Sequence, residues 1–234
     1  NDATASESTV AGGSYNDATG QKSFIGGGGS NDATDQFATV AGGSSNRASG
    51  QYTSVVGGLD NRADADYATV LGGSYGHTRG TIGKTVFAAS GSPIGTTHGY
   101  SQAGLLIVGA TTSDATTTTL RSNQNSASAS NQCVLENGGS LFAFTVTVVG
   151  REIATGHYAC IKFEGVIDKQ GSLDNVTIRT TPTKTTLGTN GDGSNWDAQV
   201  DADTTNQALR VKVTGEASTI IRWVAKVETT ELGL

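Results

Sequence analysis

Two consecutive stretches decide the fold: NDATDQFATVAGGSS, residues 31–45, and NRASGQYTSVVGGLD, residues 46–60. Laid over one another they match at Asn, Ala, a β-branched residue and a Gly pair. The pattern extends both ways, so that residues 1–75 divide into five copies of fifteen without a gap. Asn opens every copy (Asn1, Asn16, Asn31, Asn46, Asn61), and Ala holds the third place from Ala3 to Ala63. The tenth place is Val10, Ile25, Val40, Val55 and Val70, and Gly fills the twelfth and thirteenth from Gly12–Gly13 to Gly72–Gly73. Ten of the 14 glycines in residues 1–75 sit in these pairs, so the Gly excess marks fixed backbone positions rather than a loose linker.

Fifteen residues suit one solenoid coil of two short strands and two turns. Segments such as Ala38-Thr39-Val40 and Thr53-Ser54-Val55 favour strand, while Gly pairs and β-branched residues oppose helix. Asn tolerates the left-handed region, and stacked Asn side chains can form an amide ladder. Each coil offers little for burial: one Val or Ile, one Ala and a small eleventh residue. A single shaft therefore calls for lateral association, which predicts a closed cyclic homo-oligomer. The eleventh place grows from Ala11 and Gly26 to Val56 and Leu71, and the seventh turns aromatic at Phe37, Tyr52 and Tyr67, which reads as a packing column.

The stretch ATVAGGSSNRASGQYTSVVGG, residues 38–58, resembles the head repeat of trimeric autotransporter adhesins, and similar repeats occur in bacteriophage tail fibres. The resemblance covers residues 1–75 and implies a left-handed parallel β-roll shared by three chains. It departs from that family where Gly-Gly follows Ala, Val or Leu in place of the commoner Ile-Gly ending.

Residues 76–100 break the period and read as a connector. Gly83-Lys84-Thr85 suggests a phosphate-binding loop, but Thr78 stands where that motif needs Gly, and the reading is rejected. Residues 101–234 alternate strands with polar turns. The expected strands are Leu105–Ala110, Gln132–Glu136, Leu141–Val149, Tyr158–Ile167, Asn175–Thr181, Trp196–Ala202, Ala208–Val213 and Thr219–Thr229. Turns are expected at Asn137-Gly138-Gly139, Gln170-Gly171-Ser172, Thr189–Asn195 and Asp203–Asn206. This spacing predicts an antiparallel β-sandwich of jelly-roll type, so the chain as a whole is all-β. The run TTNQALRVKVTGEASTIIRWVAKVETTEL is similar to C-terminal segments of phage tail and fibre proteins. That similarity implies a trimeric receptor-binding module on the distal tail fibre of a virion, assembled in the bacterial cytoplasm.

Composition narrows the function classes. With 15 Lys and Arg against 21 Asp and Glu the formal charge is −6, which disfavours nucleic acid. No apolar run reaches the roughly 20 residues of a membrane-spanning helix. Beginning without Met inside a repeat, the chain reads as a fragment with an upstream neighbour. Cys133 and Cys160 lie in apolar strand-like runs, where two free thiols are preferred over a disulfide. His77, His98 and His157 show no metal-ligand spacing, and no cofactor is expected.

For catalysis, Asp192, Asp197, Asp201 and Asp203 are the candidate carboxylates for a glycosidase pair, and they read instead as solvated surface. No nucleophile elbow is present. The expectation is a non-enzymatic adhesion module with no catalytic residue and no metal. Its partners are its own copies and a bacterial surface receptor, a glycan or outer-membrane component. Trp196 and Trp223 alternate with Ala and Val and read as core. Recognition is assigned to the loops 168–175 and 188–195, with Lys169, Asn190, Asp192 and Asn195 as receptor-binding residues. Two alternatives stand beside this reading. One is the head of a bacterial adhesin at the cell surface, which a secretion signal and a C-terminal membrane barrel would distinguish. The other is a polysaccharide-degrading tail protein.

Overall fold

The computed structural model describes residues 1–91, 93–135, 138–171 and 175–233, so Glu136, Asn137 and residues 172–174 of the expected strands and turns lie outside it. The chain is all-β and forms two compact units. The first comprises Asn1–Gly104 with Thr230–Leu234, the second Leu105–Thr229.

In the first unit each coil contributes two short strands, β1 (Asp2–Ala3) and β2 (Thr9–Val10) through β9 (Arg62–Ala63) and β10 (Thr69–Val70). Odd-numbered strands stack into one parallel sheet and even-numbered strands into another, each residue pairing with its equivalent fifteen places on, as in Asp2 with Asp17 and Val40 with Val55. The core between the sheets is a column of Ala18, Ala33, Ala48 and Ala63 facing Ile25, Val40, Val55 and Val70, all fully buried. The solenoid continues past residue 75. Strand β11 (Thr85–Ala88) adds a sixth strand to the sheet of even-numbered strands, but Thr69 pairs with Thr85, a step of sixteen. That one-residue insertion hid the sixth coil inside what the sequence presented as a connector.

The conserved-looking positions divide their labour. Asn16, Asn31, Asn46 and Asn61 are buried, and each accepts on its side-chain oxygen the backbone N–H of the equivalent residue one coil on. Their amide nitrogens donate to glycine carbonyls; Asn46, for example, reaches Gly42 at 3.0 Å and Gly58 at 2.9 Å. The second glycine of each pair has no room for a side chain. Gly28, Gly43 and Gly58 have φ of +89°, +91° and +94°, and a Cβ on any of them would overlap the carbonyl oxygen of the next coil. The first glycine of the pair has open space at Gly12, Gly27 and Gly72, but at Gly27 and Gly72 the backbone takes φ of +151° and +129°, which an L side chain rarely adopts. The left-handed corners fall on the seventh and fifteenth places instead of on Asn, with Phe37, Tyr52 and Tyr67 at φ of 58°, 56° and 60°. Their rings stack at 4.8 and 5.2 Å, and Lys22 lies 5.5 Å over Phe37.

Lys84, the residue of the rejected phosphate-loop motif, is buried. Its ammonium meets Glu231 at 2.6 Å, while Arg79 at 3.2 Å and Gln102 at 2.6 Å hold the other carboxylate oxygen. Burial works to raise the Glu231 carboxyl, yet the two cations hold it below the ordinary range. His77 and His98 are also engaged, with Asp64 at 2.7 Å and Asp60 at 2.9 Å.

The second unit holds two antiparallel sheets around one core. In the first, β12 (Ser101–Thr112), β15 (Ser140–Glu152), β16 (Tyr158–Lys169), β17 (Val176–Ile178) and β21 (Ile221–Gly233) run in the order 17-16-15-21-12, and β18 (Thr183–Asn190) also pairs with β16. The second sheet centres on β20 (Ala208–Thr214), flanked by β13 (Thr118–Thr119), β14 (Cys133–Val134) and β19 (Asp197–Asp203). Phe142, Phe144 and Val146 from the first sheet and Val200, Leu209 and Val211 from the second share the core with Trp196 and Trp223, whose rings meet edge to face at 5.7 Å. Both Trp are therefore core residues, as their alternation indicated. Cys133 and Cys160 are free thiols. Strand β18 was not expected, because TKTTLGTN is exposed along nearly its whole length and carries no alternation.

The β19–β20 hairpin accounts for three of the candidate acids. Asp197 pairs with Lys184, Asp201 with Arg210 at 2.8 Å and Lys212 at 2.7 Å, and Asp203 accepts from Gln132 at 3.0 Å and Asn206 at 2.9 Å. Burial alone would raise these carboxyls, but the hydrogen bonds and neighbouring cations hold all three below the ordinary carboxylate range.

Three outcomes follow from this architecture. Asn46→Ala, which strips several buried groups of their partners, is expected to lower stability by about 3 kcal/mol, and Asn1→Ala, at the exposed first coil, by less than about 0.5 kcal/mol. Urea unfolding monitored by circular dichroism checks both. In the second unit a Cβ at Gly150 would drive into the Trp223 ring. Gly150→Ala is therefore expected to cost about 1–3 kcal/mol by overpacking, read from the same unfolding curves. The depressed carboxyls lend stability that is complete above the unfolded Asp pKa of about 3.9 and is lost as pH falls through their lower folded values. The melting temperature should thus be flat across pH 5–7 and fall below about pH 4, with a shallower fall in Asp201→Asn.

Candidate functional site

The site is built on the turn between β15 and β16. The strands pair up to Arg151 opposite Tyr158, and the chain reverses through Ile153–Gly156, with Gly156 at φ +79°. The Glu152 N–H donates to the His157 carbonyl at 2.9 Å, closing the turn. Strand β18 then runs antiparallel to β16 with Asn190 opposite Tyr158, and a 3₁₀ turn, Gly191–Asn195, follows it directly. Two glycines let this turn settle. A Cβ at Gly193 would overlap the Tyr158 carbonyl, and one at Gly191, φ +57°, would enter the His157 ring.

The close seating brings together groups that lie 35 residues apart in sequence. The Asp192 carboxylate stands 3.1 Å from His157 Nδ1, and the Glu152 carboxylate stands 3.5 Å from the same nitrogen. The Asp192 N–H donates to Nδ1 at 3.3 Å when the ring is neutral there; a protonated Nδ1 faces the two carboxylates. The Thr155 hydroxyl donates to Glu152, and the His157 N–H donates to that hydroxyl at 3.3 Å. Chemically this is an imidazole between two carboxylates, equipped to hold or pass a proton.

Beside it lies an exposed surface with one aromatic ring and several polar side chains. Tyr158 is 40 % exposed, and its ring lies across Gly188, where a Cβ would sit 3.6 Å from the ring. Asn190, opposite Tyr158 on β18, and Asp192 and Asn195 on the turn that follows are all exposed. Three of the four residues assigned to recognition from the sequence therefore share one turn. Tyr158, His157 and Glu152 were not assigned; only the spatial pairing of β16 with β18 joins them to that turn.

The fourth residue does not join them. Lys169 is fully buried at the opposite end of β16, where it pairs in register with Ser140 and Val176. The sequence placed it on a polar loop, but β16 extends through it, so its ammonium is not offered to a receptor. The remaining candidate acids, Asp197, Asp201 and Asp203, are held ionised by hydrogen bonds and neighbouring cations and are poorly suited to donate a proton. Among the described residues, no group of three or more His, Cys, Asp or Glu is arranged to hold a metal ion.

No family model and no curated protein matches the chain. Among solved structures it is similar to the tailspike protein gp49 from Acinetobacter baumannii bacteriophage Fri1, a capsular polysaccharide depolymerase, with 8 % identity and a TM-score of 0.34 over 93 % of this chain and 38 % of that one. It is also similar to the Acinetobacter phage vB_ApiP_P1 tailspike, at 9 % identity and a TM-score of 0.23 over 95 % of this chain and 54 % of that one. A third is the Acinetobacter baumannii phage AM24 tailspike, at 8 % identity and a TM-score of 0.26 over 91 % of this chain and 50 % of that one. The chain thus spans from 38 % to 54 % of the length of these tailspikes. Since the Fri1 protein is an enzyme, the expectation that this chain is not one is withdrawn.

Proposed function

We propose that the chain is part of a phage tail spike or tail fibre and binds a bacterial surface glycan through Tyr158, Asn190, Asp192 and Asn195. The observation that carries this reading is the half-exposed Tyr158 ring, paired across the strands with exposed Asn190 and followed on the next turn by exposed Asp192 and Asn195. A sugar presents C–H surface to an aromatic face and hydroxyls to polar side chains, and this turn offers both kinds of contact on a rigid strand pair.

Three copies would assemble through the solenoid, multiplying weak single-site affinities by avidity. In support, Val56, Leu71 and Phe87 are in-register, exposed at 52 %, 43 % and 51 %, and the eighth to fourteenth places of all five coils carry no charge. Cleavage of the bound glycan is a second reading of the same turn, favoured by Glu152 and Asp192 flanking His157, which would supply an acid and a base.

The test is a printed array of bacterial capsular polysaccharides and lipopolysaccharides probed with the intact chain. Binding to at least one polysaccharide is expected, with Tyr158→Ala weakening it at least tenfold and the variant lacking all four side chains losing it. Equal binding by that variant, or none by the intact chain, would sink the assignment. Light scattering should give three copies per particle. Release of reducing ends from the bound polysaccharide, lost in Asp192→Asn, would establish the second reading.

A further inference from the structure

On the other side of the β15–β16 turn from Tyr158 in sequence, Arg151, Glu152, Ile153 and Arg222 line a hollow of about 260 Å³. The backbone assembles it. The Ile153 N–H donates to the Ile220 carbonyl at 3.2 Å, which fixes the turn beside the start of β21 and so brings Arg222 next to Arg151. Both arginines are exposed, and Ile153 is 53 % exposed on the rim. The one carboxylate in the hollow, Glu152, is turned to Thr155 and His157.

These two guanidiniums stand apart from the rest of the unit. Every other described Lys and Arg of residues 105–229 has an ion pair, hydrogen bond or other polar partner. Arg151 and Arg222 have none among the described residues, although the chain as a whole carries six more acidic than basic side chains. Two cations without an ion pair in one hollow, whose single carboxylate is engaged by Thr155 and His157, form the arrangement that receives an anion from outside. Guanidinium forks match the two oxygens of a carboxylate or phosphate, and the apolar Ile153 suits the C–H face of a sugar ring.

We infer that this hollow is an anionic-sugar subsite in which Arg151 and Arg222 grip an oxyanion carried by the glycan. The inference rests on the glycan reading above and narrows it to an acidic saccharide, whose charge is either a uronate carboxylate or a sugar phosphate.

Phenylglyoxal labelling of the intact chain, followed by peptide mass spectrometry, reads each arginine separately. Arg151 and Arg222 should label rapidly, and saturating D-glucuronate or D-glucose 6-phosphate should slow both at least fivefold. D-glucose at equal ionic strength should not, and Arg47 on the first unit should be unaffected by all three. Arg222→Ala should remove most of the protection at Arg151. Stronger protection by glucuronate identifies a carboxylate ligand, and stronger protection by glucose 6-phosphate a phosphate ligand. Protection by neither anion, or equal protection at Arg47, overturns the subsite. That failure alongside array binding that depends on Tyr158 would remove the subsite alone, whereas protection with array binding untouched by the Tyr158 variants would remove the Tyr158 surface alone.

Discussion

In the first unit, each asparagine side-chain oxygen accepts the backbone N–H of its equivalent one coil on, at 3.0 Å for the oxygens of Asn16, Asn31 and Asn46. That bond sits in the dry interior, where an unmatched amide is costly, so it forces successive coils into one register. The register in turn brings the second glycine of each pair against the next coil's carbonyl, which no side chain would survive. It also sets Phe37, Tyr52 and Tyr67 face to face. Holding those aromatics at positive φ carries a backbone cost, offset where ring stacks on ring.

The second unit follows a different logic, with one core of large side chains between antiparallel sheets. Gly191 and Gly193 are small because His157 and the Tyr158 carbonyl already fill the space beside them. Their absence of side chains is what seats Asp192 against the imidazole. The same hairpin turn presents Tyr158 and Asn190 on one strand pair and Arg151 with Arg222 at the neighbouring hollow. A polymer with an apolar ring face, hydroxyls and a negative charge would find a matching group for each within a few residues of one turn.

The repeat was legible in the sequence because every coil meets a near-identical copy of itself, so spatial neighbours are also sequence equivalents. The sixth coil escaped because one inserted residue moves Thr85 out of the fifteen-residue step. Strand β18 escaped because an edge strand exposed on both faces has no burial pattern to read. Lys169 was misplaced for the opposite reason: its polar neighbours suggested a loop, while strand pairing on both sides buries it.

Composition and spacing by themselves determined an all-β chain, a fifteen-residue coil with its asparagine and glycine columns, a strand-rich C-terminal half and the exposed trio Asn190, Asp192 and Asn195. Local conformational preference and a self-matching period suffice for those. Only the tertiary structure decided that Glu231 lies on Lys84 and Arg79, that His157 sits between Glu152 and Asp192, and that Arg151 and Arg222 share a hollow while neither has an ion pair among the described residues. Those encounters join residues whose separation follows no period, and strand pairing and burial, not local preference, bring them together.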